Sequence, residues 1–500
     1  MSLREKIHDR DNIFSFALIL IQLLFSLRFM GRQYLSLDEV SQIGFIVKKN
    51  PWGSIFNYYT TSEVTNLPFF PMLAALWYRI VPYGEGWLRL LTVILTTMSL
   101  VAMVMAARKL GSKRTGAIMA LFACISSFIM HKCGITFRCH ALWLLFTSLT
   151  LCLYIARFRE PKKGFTRSRL LLLGLSMALL VYCHYFGLLT VLYLAAADLI
   201  LICLKKLKAY ALLSYICAGA CFLPWGLIVI SKRTMDLGSF WPKTPTFASI
   251  PQALRRIFSN DEAVFVLWLI ALIVIVLESI RALLRRQMDF SLGYLKLILA
   301  LMPALFVIGD YFYSAHINTR AGIFVLRYFL SVVPAGLLIV SLYAEKAVEL
   351  FSKGFKLDLE LVTMSFFIFV LLYLGIPNFY EVKTEVTAPF DNTYGNVRDI
   401  IENDGHEYDE STLIMINANR ANADGFEEYY LEYGGRSRDV NVVSNEDPDI
   451  GTKLEGANLV YIYQVMNGKP DIYTDMMGAD FKEVSFDQDI GLYKYERIFR

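Results

Sequence analysis

Apolar residues in this chain run in long, nearly uncharged stretches separated by short charged connections, a spacing matched to a bilayer rather than to one face of a soluble helix. Windows long enough to cross a hydrocarbon core of about 30 Å recur about eleven times. They fall at 13–30, 88–107, 115–131, 138–156, 169–186, 187–204, 209–230, 263–280, 291–309, 322–343 and 360–378. Each predicts a helix, because in lipid a spanning segment must satisfy its own backbone N–H and C=O groups. From about 380 the pattern changes. Short apolar or alternating runs at 411–417 (STLIMIN), 439–443 (DVNVV), 458–463 (NLVYIY) and 490–493 (IGLY) predict strands, and 396–403 and 425–433 predict helices. The expected fold class is therefore an α-helical multipass membrane protein, with a membrane domain over 1–379 and a small α/β accessory domain over 380–500.

Composition agrees and adds orientation. At 56% hydrophobic residues the chain is too apolar for a soluble protein. The first run is expected to stay as an anchor, since no small-residue cleavage site follows it. Alternate connections are basic: Arg108, Lys109, Lys113 and Arg114; Arg157 to Arg169 with Lys162 and Lys163; Lys205, Lys206 and Lys208; Arg281, Arg285 and Arg286; Lys346, Lys353 and Lys356. The positive-inside rule puts these loops and the N-terminus in the cytoplasm, and an odd number of spans then puts the C-terminal part outside. That part holds 25 acidic against 11 basic residues, the balance of a solvated domain, although the whole chain is +5. The basic surplus thus follows the cytoplasmic loops. No basic stripe is interleaved with aromatics, so a nucleic-acid partner is not expected. All eight cysteines lie between Cys124 and Cys221; the exported part has none, so no disulfide framework holds it, and the cysteines read as small packing residues.

The expected chemistry gathers on the outer side. The connection at 31–87 opens with Ser36, Leu37, Asp38 and Glu39, and continues through Ile43, Phe45, Ile46, Val47, Trp52, Ile55, Phe56, Tyr58 and Tyr59. It is too polar to span, and suits interfacial helices roofing a site at the membrane surface. Ser36 followed by Glu39 is a capping box, which accounts for Glu39 as structure, with acceptor binding as its other possible role. Asp38 has no such local duty. Several cations break the positive-inside trend at outer span ends: Lys132 and Arg138 with His131 and His140, Arg320 and Arg327 with His316 and Tyr328, and Lys232 and Arg233. A cation at mid-bilayer costs about 2.5–3.5 kcal/mol, so these line a polar cavity or meet an anion, of which a lipid phosphate is the obvious one. Lys232 and Arg233 read as side chains snorkelling to headgroups. Arg138 and Arg327, each set in apolar neighbours, are the preferred phosphate ligands, because a guanidinium grips two oxygens at once; Lys132 and His140 stand beside them. His184 lies where two spans meet. No outer cluster has metal-ligand spacing, and no cofactor is expected.

Taken in order, these segments resemble the GT-C class of membrane glycosyltransferases, specifically glycosyltransferase family 39 and its bacterial relatives, the protein O-mannosyltransferases and aminoarabinose transferases. The resemblance covers about 13–345. It rests on Asp38-Glu39 after the first span; Leu67-Pro68-Phe69-Phe70-Pro71, Trp77 and Arg89-Leu90; Phe137-Arg138-Cys139-His140-Ala141-Leu142; His184-Tyr185-Phe186-Gly187; Pro224-Trp225; and Arg327-Tyr328. It implies a GT-C fold in a bacterial plasma membrane and a polyprenyl-phosphate sugar donor used on the extracytoplasmic face. It also implies Asp38 as general base, with Arg138 and Arg327 at the departing phosphate and Arg89, His184 and Tyr328 as cavity residues. The chain departs from the family at Cys139 and His140, where Pro and Tyr are usual. Two other readings remain. A lipid or glycan transporter would also show ionisable groups on one face of a bundle, with broken helices. A noncatalytic scaffold would leave Asp38 and the outer arginines without a purpose.

Overall fold

All eleven apolar windows carry helix. The computed structural model describes residues 3–46, 53, 67–82, 84–159, 166–231, 244–285, 287, 289–317, 323–387, 394–404, 411–417, 420–432, 441–444, 447–464, 477, 480–487 and 491–498. Most of the interfacial stretch expected after Ile46, with Lys232, Arg233 and Arg320, lies outside them. The chain forms two units. One comprises Met1–Phe29, Tyr59–Phe69 and Thr92–Glu385; the other comprises Met30–Tyr58, Phe70–Leu91 and Val386–Arg500.

The first unit is the helical bundle of a multipass membrane protein. Among the described residues of the whole chain, nine helices are long and apolar enough to cross a membrane, or ten if the bent pair Lys113–Cys124 and Ser127–Gly134 is one span. The remaining expected span, Arg167–Cys183, has 17 residues and so a length of about 25 Å, at the short end of spanning helices. Bundle helices wear their hydrophobicity outward. Glu262–Leu284 exposes Leu269, Ile270, Ile273, Leu277 and Ile280 while burying Trp268, Ala271 and Ile275, the pattern of a surface solvated by lipid rather than water.

One buried ion pair stands inside the bundle. Arg157, counted from sequence among the loop bases, is buried and bonds Asp198 at 2.6 Å. Tyr154 and Tyr215 donate to the same carboxylate at 2.9 and 2.8 Å. This one cluster ties together the helices His140–Arg159, Tyr185–Cys203 and Leu213–Ser231, where an unpaired charge would cost several kcal/mol. The 59° bend in the broken pair has a local cause. Ser126 leaves the helical region at ψ 110° and its hydroxyl accepts from the Ile129 N–H, restarting the chain in a new direction.

The second unit contains a five-stranded sheet of order β2-β1-β3-β5-β4, with β1 Thr412–Asn417, β2 Asn441–Ser444, β3 Leu459–Gln464, β4 Phe481–Asp487 and β5 Leu492–Arg497. β1 runs parallel to β2 and β3; β5 is antiparallel to β3 and β4. The central β1 and β3 are apolar at successive positions because both faces are covered. Leu413, Met415, Val460 and Ile462 pack there with Ile450 and Leu454 of the helix Ile450–Gly456. Tyr394–Asn403 and Arg420–Phe426 are further helices of this unit, the second continuing into a π turn at Glu427–Glu432. The same unit holds the helix Leu37–Ile46, which begins at the acidic pair.

Candidate active site

Two groups of charged side chains stand out, one in each unit. In the second unit, Ser36 precedes the first turn of Leu37–Ile46, and the Glu39 carboxylate reaches back to accept from the Ser36 N–H at 2.8 Å and its hydroxyl at 2.9 Å. The same carboxylate takes a two-pronged grip from Arg89: Nε to Oε1 and Nη2 to Oε2, both at 2.9 Å. The remaining three N–H groups of Arg89 donate to the carbonyls of Met30, Gln33 and Tyr34 at 3.0, 2.8 and 3.0 Å. Both side chains are buried. All five donors of Arg89 are thus committed to building the loop, and Glu39 is a capping and ion-pairing residue. Asp38, its neighbour, is half-buried in the same first turn, where an acid is favoured by the helix dipole.

Tyr34 and Leu35, just before this helix, are tied to the C-terminal helices. The Tyr34 hydroxyl donates to Asp399 Oδ2 at 2.5 Å, and Arg398 lies over the Tyr34 ring at 5.2 Å. The hydrogen bond to Asp399, then burial, raise the Tyr34 phenol above its ordinary value. The Leu35 N–H donates to the Tyr430 oxygen at 3.2 Å; burial pushes that phenol well above its ordinary value, so it stays protonated.

In the first unit, cations from separate segments meet at helix ends. Lys132 sits on the π turn Met130–Gly134, Arg138 just before His140–Arg159, and Arg327 and Tyr328 on the 3-10 segment Leu326–Val332. His184 occupies the break between Arg167–Cys183 and Tyr185–Cys203. Its ring stacks on Trp143 at 4.2 Å and touches Tyr328 at 4.9 Å, and Arg327 lies 5.8 Å from the Tyr328 ring centre. Arg138 and Arg327 lie within electrostatic reach of the buried ring. Its Nδ1 accepts from the Phe186 N–H at 3.3 Å, which leaves the ring proton on Nε2. His140 lies within electrostatic reach of Arg138, Arg327, His184 and Lys132, and its Nδ1 is buried without a hydrogen-bond partner among the described residues.

Sequence reasoning missed two members of this group. Arg256, at the end of the helix Ser249–Ile257, acts on Lys132, and so does Glu385, whose carboxylate bonds His131 Nδ1 at 2.8 Å. Arg256 was open to the rule that singled out Arg327, a cation at a span end against the positive-inside trend. Glu385 carries no sequence signal of its own. Four cations, Lys132, Arg138, Arg256 and Arg327, and one carboxylate, Glu385, thus act on one another at these helix ends, a positive surplus to which an anion is attracted. Among the described residues, no three or more His, Cys, Asp or Glu side chains gather as a metal-binding group.

No protein-family model and no curated protein sequence matches this chain. Its fold does have solved counterparts: the chain has the GT-C fold, the helical membrane bundle with a smaller appended domain. It is similar to ArnT from Cupriavidus metallidurans, at 12% identity over 96% of this chain and 97% of that one, with TM-scores of 0.57 for the apo state and 0.58 for the state bound to undecaprenyl phosphate. It is also similar to the oligosaccharyltransferase AglB from Archaeoglobus fulgidus, solved with an inhibitory peptide and a dolichol-phosphate, at 12% identity, TM-score 0.55, over 90% of this chain and 69% of that one.

Proposed function

We propose that this protein is a glycosyltransferase that moves a sugar from a polyprenyl-phosphate-linked donor to an acceptor hydroxyl on the extracytoplasmic face of the membrane, in a single inverting displacement that needs no metal. The observation that carries the reading is the meeting of Lys132, Arg138 and Arg327 beside His140 and His184 at the ends of separate helices. The surplus of positive charge there attracts an anion with several charged oxygens, and a lipid-linked phosphate supplies one at that depth. The likeness to a fold solved with undecaprenyl phosphate in one case and a dolichol-phosphate in another supports the same ligand class.

In this mechanism the Asp38 carboxylate takes the acceptor's proton as the acceptor oxygen bonds to the anomeric carbon. The bond from that carbon to the phosphate oxygen breaks, and its electron pair leaves with the polyprenyl phosphate. Arg138 and Arg327 stabilise the charge that grows there, with Lys132 and His140 beside them. His184 and Tyr328 shape the cavity wall. The donor is a pentosyl or hexosyl polyprenyl phosphate, and the acceptor hydroxyl belongs to a protein, a lipid or a cell-wall glycan.

Incubating purified protein with labelled polyprenyl-phosphate sugars and a membrane extract tests the proposal. Label moved to an acceptor, with unchanged yield in EDTA, is the expected result. One observation favours transport instead, the broken pair at Ser126; donor bound and carried across vesicles without any transfer would establish that reading and overturn the proposed one.

A further inference from the structure

The helix that carries Asp38 is gripped on both sides by the C-terminal α/β part of its own unit. Before Asp38, the Leu35 N–H donates to Tyr430 and the Tyr34 hydroxyl to Asp399. A Cβ placed on Gly395, in the helix Tyr394–Asn403, would lie 2.2 Å from the Tyr34 ring. After Asp38, the grip is backbone against backbone. A Cβ on Gly425 would lie 2.2 Å from the Val40 carbonyl oxygen and 2.9 Å from its Cγ1, so the helix Arg420–Phe426 approaches Leu37–Ile46 as closely as only glycine allows. From the other side, Arg89 fixes Glu39. Every residue flanking Asp38 that is held this way is held through a carbonyl, an N–H or a committed side chain, so the first turn has little freedom to shift.

We infer that the C-terminal α/β part sets the position of the Asp38 carboxylate, with Gly425 and Tyr430 as positioning residues for proton transfer. This rests on the reading of Asp38 as general base. The two contacts differ in kind. Alanine at Gly425 meets a backbone oxygen, which no rotamer change can move, so the two helices must part by about 1 Å, and a displacement of that size can cost a factor of about a hundred in rate. Phenylalanine at Tyr430 keeps the packing and removes only the oxygen that accepts from Leu35, leaving a buried N–H without a partner and the turn before Asp38 looser.

The test uses full-length protein as wild type, Gly425→Ala, Tyr430→Phe and Asp38→Asn. It measures kcat, affinity for undecaprenyl phosphate, and amide hydrogen exchange over 34–46. Gly425→Ala is expected to lower kcat by about a hundredfold and Tyr430→Phe by about tenfold. Both should speed exchange over 34–46 and leave undecaprenyl-phosphate affinity within about twofold, since the phosphate-facing cations belong to the other unit. A merely structural role would lower the folded fraction without separating kcat from affinity. If Gly425→Ala fails to fold, Tyr430→Phe carries the test alone. Wild-type exchange and kcat in both variants would overturn the inference. Full activity in Asp38→Asn would instead overturn the base assignment, and exchange over 34–46 would then decide the grip by itself.

Discussion

Arg89→Met removes a guanidinium while keeping a side chain of similar reach, so the perturbation falls on charge and hydrogen bonds. In the native loop all five N–H groups of Arg89 have acceptors, two on Glu39 and three on the carbonyls of Met30, Gln33 and Tyr34. The variant leaves a carboxylate only 1% exposed without its counter-charge. Removing one member of a buried pair costs about 3–5 kcal/mol, and each of the three carbonyls loses a charged donor. The expected loss is thus at least about 5 kcal/mol, comparable with the whole stability of a typical domain. Glu39→Gln should cost less, because Arg89 keeps its three carbonyls. The double variant should be less damaged than the two single effects together, by about 1–3 kcal/mol. Thermal unfolding in detergent and hydrogen exchange over 30–46 measure these differences. Additive effects, or a loss in Arg89→Met below about 1 kcal/mol as for a surface ion pair, would refute the reasoning that this pair builds the loop.

Arg138→Ala and Arg327→Ala should each weaken binding of undecaprenyl phosphate by about ten- to a hundredfold, the worth of a charge-assisted hydrogen bond, while lysine at either place retains part of it; titration in detergent reads the change, and full affinity in both alanine variants would remove them from the phosphate site.

Much of this architecture is legible in the sequence because bilayer and sheet impose short-range rules. Each apolar window holds a helix, and the runs STLIMIN and NLVYIY are the two central strands, since both faces of β1 and β3 are buried. β4 escaped because an edge strand carries Lys482, Glu483 and Asp487 in place of an apolar run, with a register shift between Glu483 and Ser485. The kink at Ser126 turns on one residue's backbone angle. What sequence could not supply were pairings across distance. Glu39 read as a helix cap, and it is one, but its partner lies 50 positions away at Arg89. Arg157 read as a loop base because its charge fits a cytoplasmic connection; only the fold brings Asp198 to it. The cluster at Arg138 and Arg327 was visible as a violation of charge bias, whereas Glu385 became meaningful only beside His131 and Lys132.

The proposed function gives two adjacent acids opposite duties: Glu39 holds the loop, and Asp38 would take the acceptor's proton. The most direct test compares sugar transfer by wild type, Asp38→Asn and Glu39→Gln at equal folded amounts, with undecaprenyl-phosphate binding measured alongside. Asp38→Asn is expected to keep its stability and its lipid binding and to lose turnover by at least about a hundredfold, whereas Glu39→Gln loses stability and, through a looser first turn, lowers turnover per folded molecule by no more than about tenfold. Equal turnover in Asp38→Asn and wild type would contradict the account.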